Sequence, residues 1–136
     1  MLRLIFGVIV GFIVWEILWV GSDAGLMAIS DWYGNHHTEF EAAVTSGEPF
    51  AADSMILIIG LIRSVIFSLV AGFVAAAIAG ENTLSTIILG VVLLAFGIFI
   101  QSIYWNYVPL WYHVLFLLLL APMTFVGGKL KKQSSF

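Results

Sequence analysis

The stretch Met55–Gly80, MILIIGLIRSVIFSLVAGFVAAAIAG, constrains this chain more than any other. At about 1.5 Å of rise per residue, a helix of that length crosses a hydrocarbon core of about 30 Å. Lipid offers the backbone no hydrogen bonds, so a segment this apolar has to satisfy its own as a helix. Two features mark it. A small residue recurs at every fourth position, Gly60, Ser64, Ser68, Gly72, Ala76 and Gly80, drawing a narrow ridge down one face that suits close helix packing. Arg63 places a cation inside the otherwise apolar span.

Three further runs have the same character: Leu2–Val20, with a GxxxG step at Gly7 and Gly11, then Leu84–Tyr107 and Leu110–Val126, the last closed by Gly127-Gly128. Only 10 % of the 136 residues are charged and 62 % are hydrophobic. Soluble domains carry about 25 % charged residues, so the chain belongs in a membrane. Arg3 and the run after it have the outline of a signal peptide, but no clean small-x-small cleavage site follows, and the segment reads as a retained span. The expected fold class is all-α and integral membrane. It is an antiparallel four-helix transmembrane bundle, a single domain over residues 1–136 with both termini cytoplasmic.

Residues 21–54 form the one sizeable polar region. Leu26, Ile29 and Trp32 or Tyr33, at spacings of three and four, predict a short amphipathic helix at the interface, broken at Gly34-Asn35. Thr38 and Glu41 fit a capping box for a helical turn over Glu39–Ser46 that ends at Gly47. Asp53 or Ser54 starts the next span, and Thr83 is the expected cap of the third.

Charge supplies the orientation. Six of the eight acids lie between Asp23 and Asp53, whereas Arg3, Lys129, Lys131 and Lys132 flank the ends of the chain. The positive-inside rule then puts the termini in the cytoplasm and the acidic loop outside, with a bacterial inner membrane as the simplest setting. All five tryptophans, Trp15, Trp19, Trp32, Trp105 and Trp111, map to the outer half as a one-sided aromatic belt. The few cations form no stripe for nucleic acid, and the absence of cysteine removes disulfide and thiolate chemistry.

Counting residues from the span ends puts Glu16 and Arg63 at matched depth, where an ion pair is expected, with Gln101 and His113 in the same layer and Tyr104, Asn106 and Tyr112 around it. The inner half holds Gly7, Gly11, Gly72, Ala76, Gly80 and Gly90 instead. The bundle should therefore be tight at its inner end and wider at its outer end.

Chemistry is sparse. His36, His37, Glu39 and Glu41 are metal-capable donors, but adjacent histidines diverge and no second cluster completes a coordination sphere, so a solvated loop is expected. His113 lacks the second intramembrane histidine of a bis-histidine haem, and the apposition of Ser102 with His113 has no catalytic motif behind it. No cofactor and no enzyme activity are expected. The leading expectation is a non-catalytic accessory or oligomerising subunit whose partners are the bilayer and other membrane subunits or copies of itself. The alternative is a small transporter or channel with an outward cavity lined by Glu16, Arg63, Gln101 and His113. In its short length, four spans and the glutamate of its first span, Glu16, the chain resembles small multidrug resistance transporters in topology. The long acidic loop and Arg63 depart from that pattern, and no activity is carried over.

Overall fold

The computed structural model describes residues 2–131 and is all-helical. Its elements are α1 (Leu2–Ile29), α2 (Asp31–Ser46), α3 (Ser54–Ala79), α4 (Leu84–Ile103) and α5 (Leu110–Leu130), with a 3-10 turn at Trp105–Tyr107. Four of these helices, all but α2, are long and apolar enough to cross a membrane. Lys132, counted above among the terminal cations, lies outside the described residues.

The C-terminal ends of α1, α4 and α5 differ from the sequence expectation, α4 stopping at Ile103 rather than Tyr107, where a 3-10 turn takes over. The first helix does not stop at Val20 but runs to Ile29. Its extra turns are pinned by tertiary bonds, since Arg63 of α3 reaches Ser22 and Asp23 there. The chain breaks instead at Ser30, whose hydroxyl accepts the Tyr33 N–H at 3.2 Å and so caps α2. Gly34 and Asn35 lie inside α2 rather than ending a helix. A Cβ on Gly34 would stand 3.3 Å from the Met27 carbonyl oxygen, so glycine lets α2 fold tightly back on α1. The Thr38 hydroxyl bonds the Gly34 carbonyl and opens no capping box. Gly47 does end α2, at φ 75°, and Asp53 caps α3 through the Met55 N–H.

Thr83 makes no cap. Glu81 takes that role, its carboxylate accepting the N–H groups of Thr83, Leu84 and Ser85 at the start of α4. Burial raises its carboxyl pKa, but hydrogen bonds from Ser85, Leu84 and Thr83 outweigh burial and hold it below the usual carboxylate range. Gly127 and Gly128 lie inside α5, which continues to Leu130. They sit where α5 meets the Leu69 backbone and the Thr86 side chain, at distances that leave no room for a Cβ.

α3 is the central element, packed most heavily on α5 and then on α1, while α4 closes the group against α5 and α1. The ridge of small residues lies inside this packing. Ser68 and Ala76 are fully buried, Gly72 abuts the Thr124 backbone and Gly60 the Tyr112 hydroxyl. Gly7 and Gly11 meet Ala71, Ala75 and Ala79 of the same helix. The tryptophan belt is only partly a belt. Trp15 is 5 % exposed and donates to the Ser68 hydroxyl at 3.1 Å, with Trp19 stacked on it and Phe67 and Phe116 edge-on to the pair. Trp32, Trp105 and Trp111 remain at the surface.

Candidate functional site

Arg63 organises the wide end of the bundle. Its Nη1 lies 3.0 Å from the Asp23 carboxylate and 2.7 Å from the Tyr33 hydroxyl, Nε donates to Ser22 Oγ at 2.9 Å, and Nη2 donates to the Trp19 carbonyl at 2.9 Å. The guanidinium also stacks 4.1 Å over the Trp19 ring. Every nitrogen of this buried cation is therefore engaged. The Tyr33 hydroxyl in turn bonds Asp23. Its phenol pKa is pushed up to about 12, chiefly by burial and by that bond to Asp23, with Arg63 pulling the other way.

The expected pairing of Glu16 with Arg63 is not made. Arg63 lies one to two turns further along α3's neighbour than the residue count implied, because α1 continues past the level where the apolar run ends and brings Asp23 to it. Glu16 is half-buried, and its Oε1 is enclosed with no hydrogen-bond partner among the described residues.

Gln101 and His113 do come together, at 2.5 Å from Oε1 to Nδ1. His113 is 1 % exposed, its Nε2 is 3.2 Å from the Trp105 carbonyl, and its ring stacks on Trp105. A carbonyl only accepts, so Nε2 carries the proton. In the neutral ring Nδ1 is then the acceptor, and the Gln101 amide turns its NH2 toward it. Ser102 stays out of this cluster, its hydroxyl bonding the Phe99 carbonyl at 2.7 Å. Both ring nitrogens of His113 are engaged within the protein, one by Gln101 and one by the Trp105 carbonyl.

Between α2 and the adjoining ends of α3, α4 and α5 lies a cavity of about 460 Å³. Its floor is made by Arg63, Gln101 and Tyr112, which are 8 %, 7 % and 7 % exposed. Trp19, Ile56, Leu57, Ile100 and Val108 form its apolar wall, and α2 covers it with Tyr33, His36, His37, Phe40 and Glu41. The cover is held by ring contacts of Phe40 with Tyr104 and Tyr107, and by a bond from the Asp53 N–H to His36 Nε2 at 3.1 Å. Burial lowers the His36 pKa, with Asp53 and Glu39 opposing and His37 adding to the effect, which suits its role as an acceptor.

Of the four residues expected to line an outward cavity, Arg63 and Gln101 do so, His113 stands behind Gln101, and Glu16 is elsewhere. Reading by residue type placed Tyr112 in this layer but missed Asp23 and Tyr33. The sequence signal for Asp23 was its place as the first acid after the apolar run of α1, beyond Glu16. The metal-capable run falls on helix α2 instead of a loop, with His37 paired to Glu41 at 2.9 Å one turn on and His36 turned to Asp53. Among the described residues no group of three or more such side chains converges. Compared with protein-family profiles, curated proteins and solved structures, the chain matches none of them.

Proposed function

We propose that this chain is a small integral membrane protein that binds a small molecule, without converting it, in the cavity beneath α2. In this reading α1, α3, α4 and α5 cross the bilayer antiparallel to their chain neighbours. The termini face the cytoplasm, of a bacterial inner membrane in the simplest case, and α2 with its acids lies on the outer side. Two sets of contacts support that arrangement. Gly7 meets Ala75 and Ala79 while Trp19 meets Arg63, so α1 and α3 run in opposite directions. Arg3 and Lys129 gather at the 80–83 connection, bonding Ile78, Asn82 and Thr83, which puts basic residues at one end and most of the acids at the other.

The observation that carries the binding reading is the cavity itself, of ligand size, with an apolar wall and a few convergent polar groups on its floor. It displaces the accessory-subunit reading because the small-residue ridge, the strongest sequence argument for a partner helix, is taken up within the bundle. The full-length protein, purified and extracted for mass spectrometry, should yield a small molecule that is missing from an Ala52→Trp variant, since Ala52 lines the cavity and an indole there obstructs it. Equal extracts from the two proteins would overturn the reading.

The accessory reading keeps one observation of its own. Glu16 holds a buried carboxylate oxygen without a partner inside a span, and a polar group on a second membrane chain would satisfy it. It predicts that Glu16→Leu changes the oligomeric state in mild detergent, and an unchanged state would remove it.

A further inference from the structure

The structure points to the chemical class of the cavity's ligand, an inference that rests on the binding reading above. We infer that the site takes an uncharged, flat ring compound carrying carbonyl or hydroxyl groups, of the quinone type.

Charge is the first constraint. Arg63 is neutralised by Asp23 at 3.0 Å, and its Nε, Nη1 and Nη2 already donate to Ser22, Tyr33 and the Trp19 carbonyl. An anion would have to displace Asp23 and would face Glu41 at the rim. A cation would meet Arg63 on the floor. On the buried floor neither sign of charge is left uncompensated, Glu41 at the rim being 68 % exposed, and a buried ligand charge without a counter-charge is costly.

Hydrogen bonding is the second. The Tyr112 residue is 7 % exposed and packs with its hydroxyl over Gly60, yet that hydroxyl has no hydrogen-bond partner among the described residues and lines the cavity. With its NH2 turned to His113, Gln101 leaves its carbonyl oxygen at the same floor without a partner among the described residues. A hydroxyl both donates and accepts, and the Gln101 carbonyl oxygen, left free when the NH2 turns to His113, accepts. Tyr112 therefore matches a neutral carbonyl or hydroxyl and Gln101 a hydroxyl, each left bound in a polar contact rather than stranded.

Shape is the third. The rings of Trp19, Phe40, Tyr104 and Tyr112 all border the space, and aromatic walls favour a flat ring that can stack on or stand edge-on to them.

Calorimetric titration of the full-length protein in non-ionic detergent tests this, with menadione as the neutral ring probe, tetraphenylphosphonium as the cation and decanoate as the anion. Menadione should bind saturably and the two ions should not. Tyr112→Phe removes one oxygen atom and no ring contact, and should weaken menadione about fivefold, the worth of one neutral hydrogen bond. Gln101→Leu should not weaken menadione, which has no donor for the Gln101 oxygen. Ala52→Trp should abolish it. If menadione affinity is the same in Tyr112→Phe as in the parent, the assignment fails. If an ion binds instead and Ala52→Trp abolishes that binding, the ligand class is wrong and the cavity reading stands. If no probe binds and Ala52→Trp extracts equal those of the parent, both fail.

Discussion

Gly72→Ala is the sharpest test of how these helices meet. A methyl group at Gly72 would stand 2.9 Å from the Thr124 carbonyl carbon and 3.1 Å from the Gly128 nitrogen, short of an ordinary 3.4 Å contact by 0.5 and 0.3 Å, with the Thr124 oxygen closer still. All three atoms are backbone of α5, so no side-chain rotation relieves the clash and the two helices have to separate. Overpacking of this kind costs about 1–3 kcal/mol, and a clash against a helix backbone belongs at the upper end of that range. Alanine also gains about 1 kcal/mol over glycine inside a helix. The net expectation is a loss of about 2 kcal/mol. Gly25→Ala in α1 is the control, because nothing lies within 4 Å of its Cβ and only the propensity gain of about 1 kcal/mol remains. The two variants should therefore differ by about 3 kcal/mol, or roughly a hundredfold in the unfolding equilibrium constant. Titration from non-ionic detergent into dodecyl sulfate, followed by the fluorescence of the buried Trp15–Trp19 pair, measures both. A Gly72→Ala protein as stable as Gly25→Ala would refute the account of α3 and α5 as backbone neighbours.

Two further outcomes use the same assay. Asp23→Leu should cost about 3 kcal/mol by leaving Arg63 buried without its counter-charge, whereas Arg63→Met should cost less, because the Asp23 side chain is 23 % exposed and water can reach it; the opposite order would show that Asp23 is the more deeply dependent partner. Glu81→Gln should weaken the start of α4 by about 1 kcal/mol, the usual worth of a helix cap. Its folded pKa is depressed, so in the parent this contribution is present above the ordinary value of 4.5 and fades as pH falls from there through the folded value, and Glu81→Gln should lack that fading.

The spans were legible because the signal is local. Apolar runs long enough for a bilayer are a property of the chain alone, and α3, α4 and α5 begin within a residue or so of where capping residues and prolines put them. The ends of α1 and α5 were not. Gly127 and Gly128 look like stops in a linear reading, yet a glycine ends a helix only when the chain needs to turn there. In α5 the same residues serve close packing instead, and the run of α1 past Val20 depends on Arg63 lying opposite Ser22 and Asp23.

The candidate site divides along the same line. Gln101 and His113 were placed together by depth, which follows from residue counting along two helices of known start. Arg63 was seen as a cation needing an anion, but counting favoured Glu16, and the partner proved to be Asp23 with Tyr33 from α2. A helix that folds back over the bundle adds neighbours that no count along the spans includes.

The sequence by itself determined that four helices are apolar and long enough to cross a membrane, that small residues line the packing faces, and that a buried arginine needs compensation. Each of those follows from side-chain chemistry read at a helical period. Only the tertiary structure decided that the small-residue ridge faces inward, that Asp23 compensates Arg63, and that α2 roofs a cavity floored by Tyr112 and Gln101. Those outcomes depend on which helices lie side by side and on the rotation of each about its axis, and both are set by packing between residues far apart in the chain.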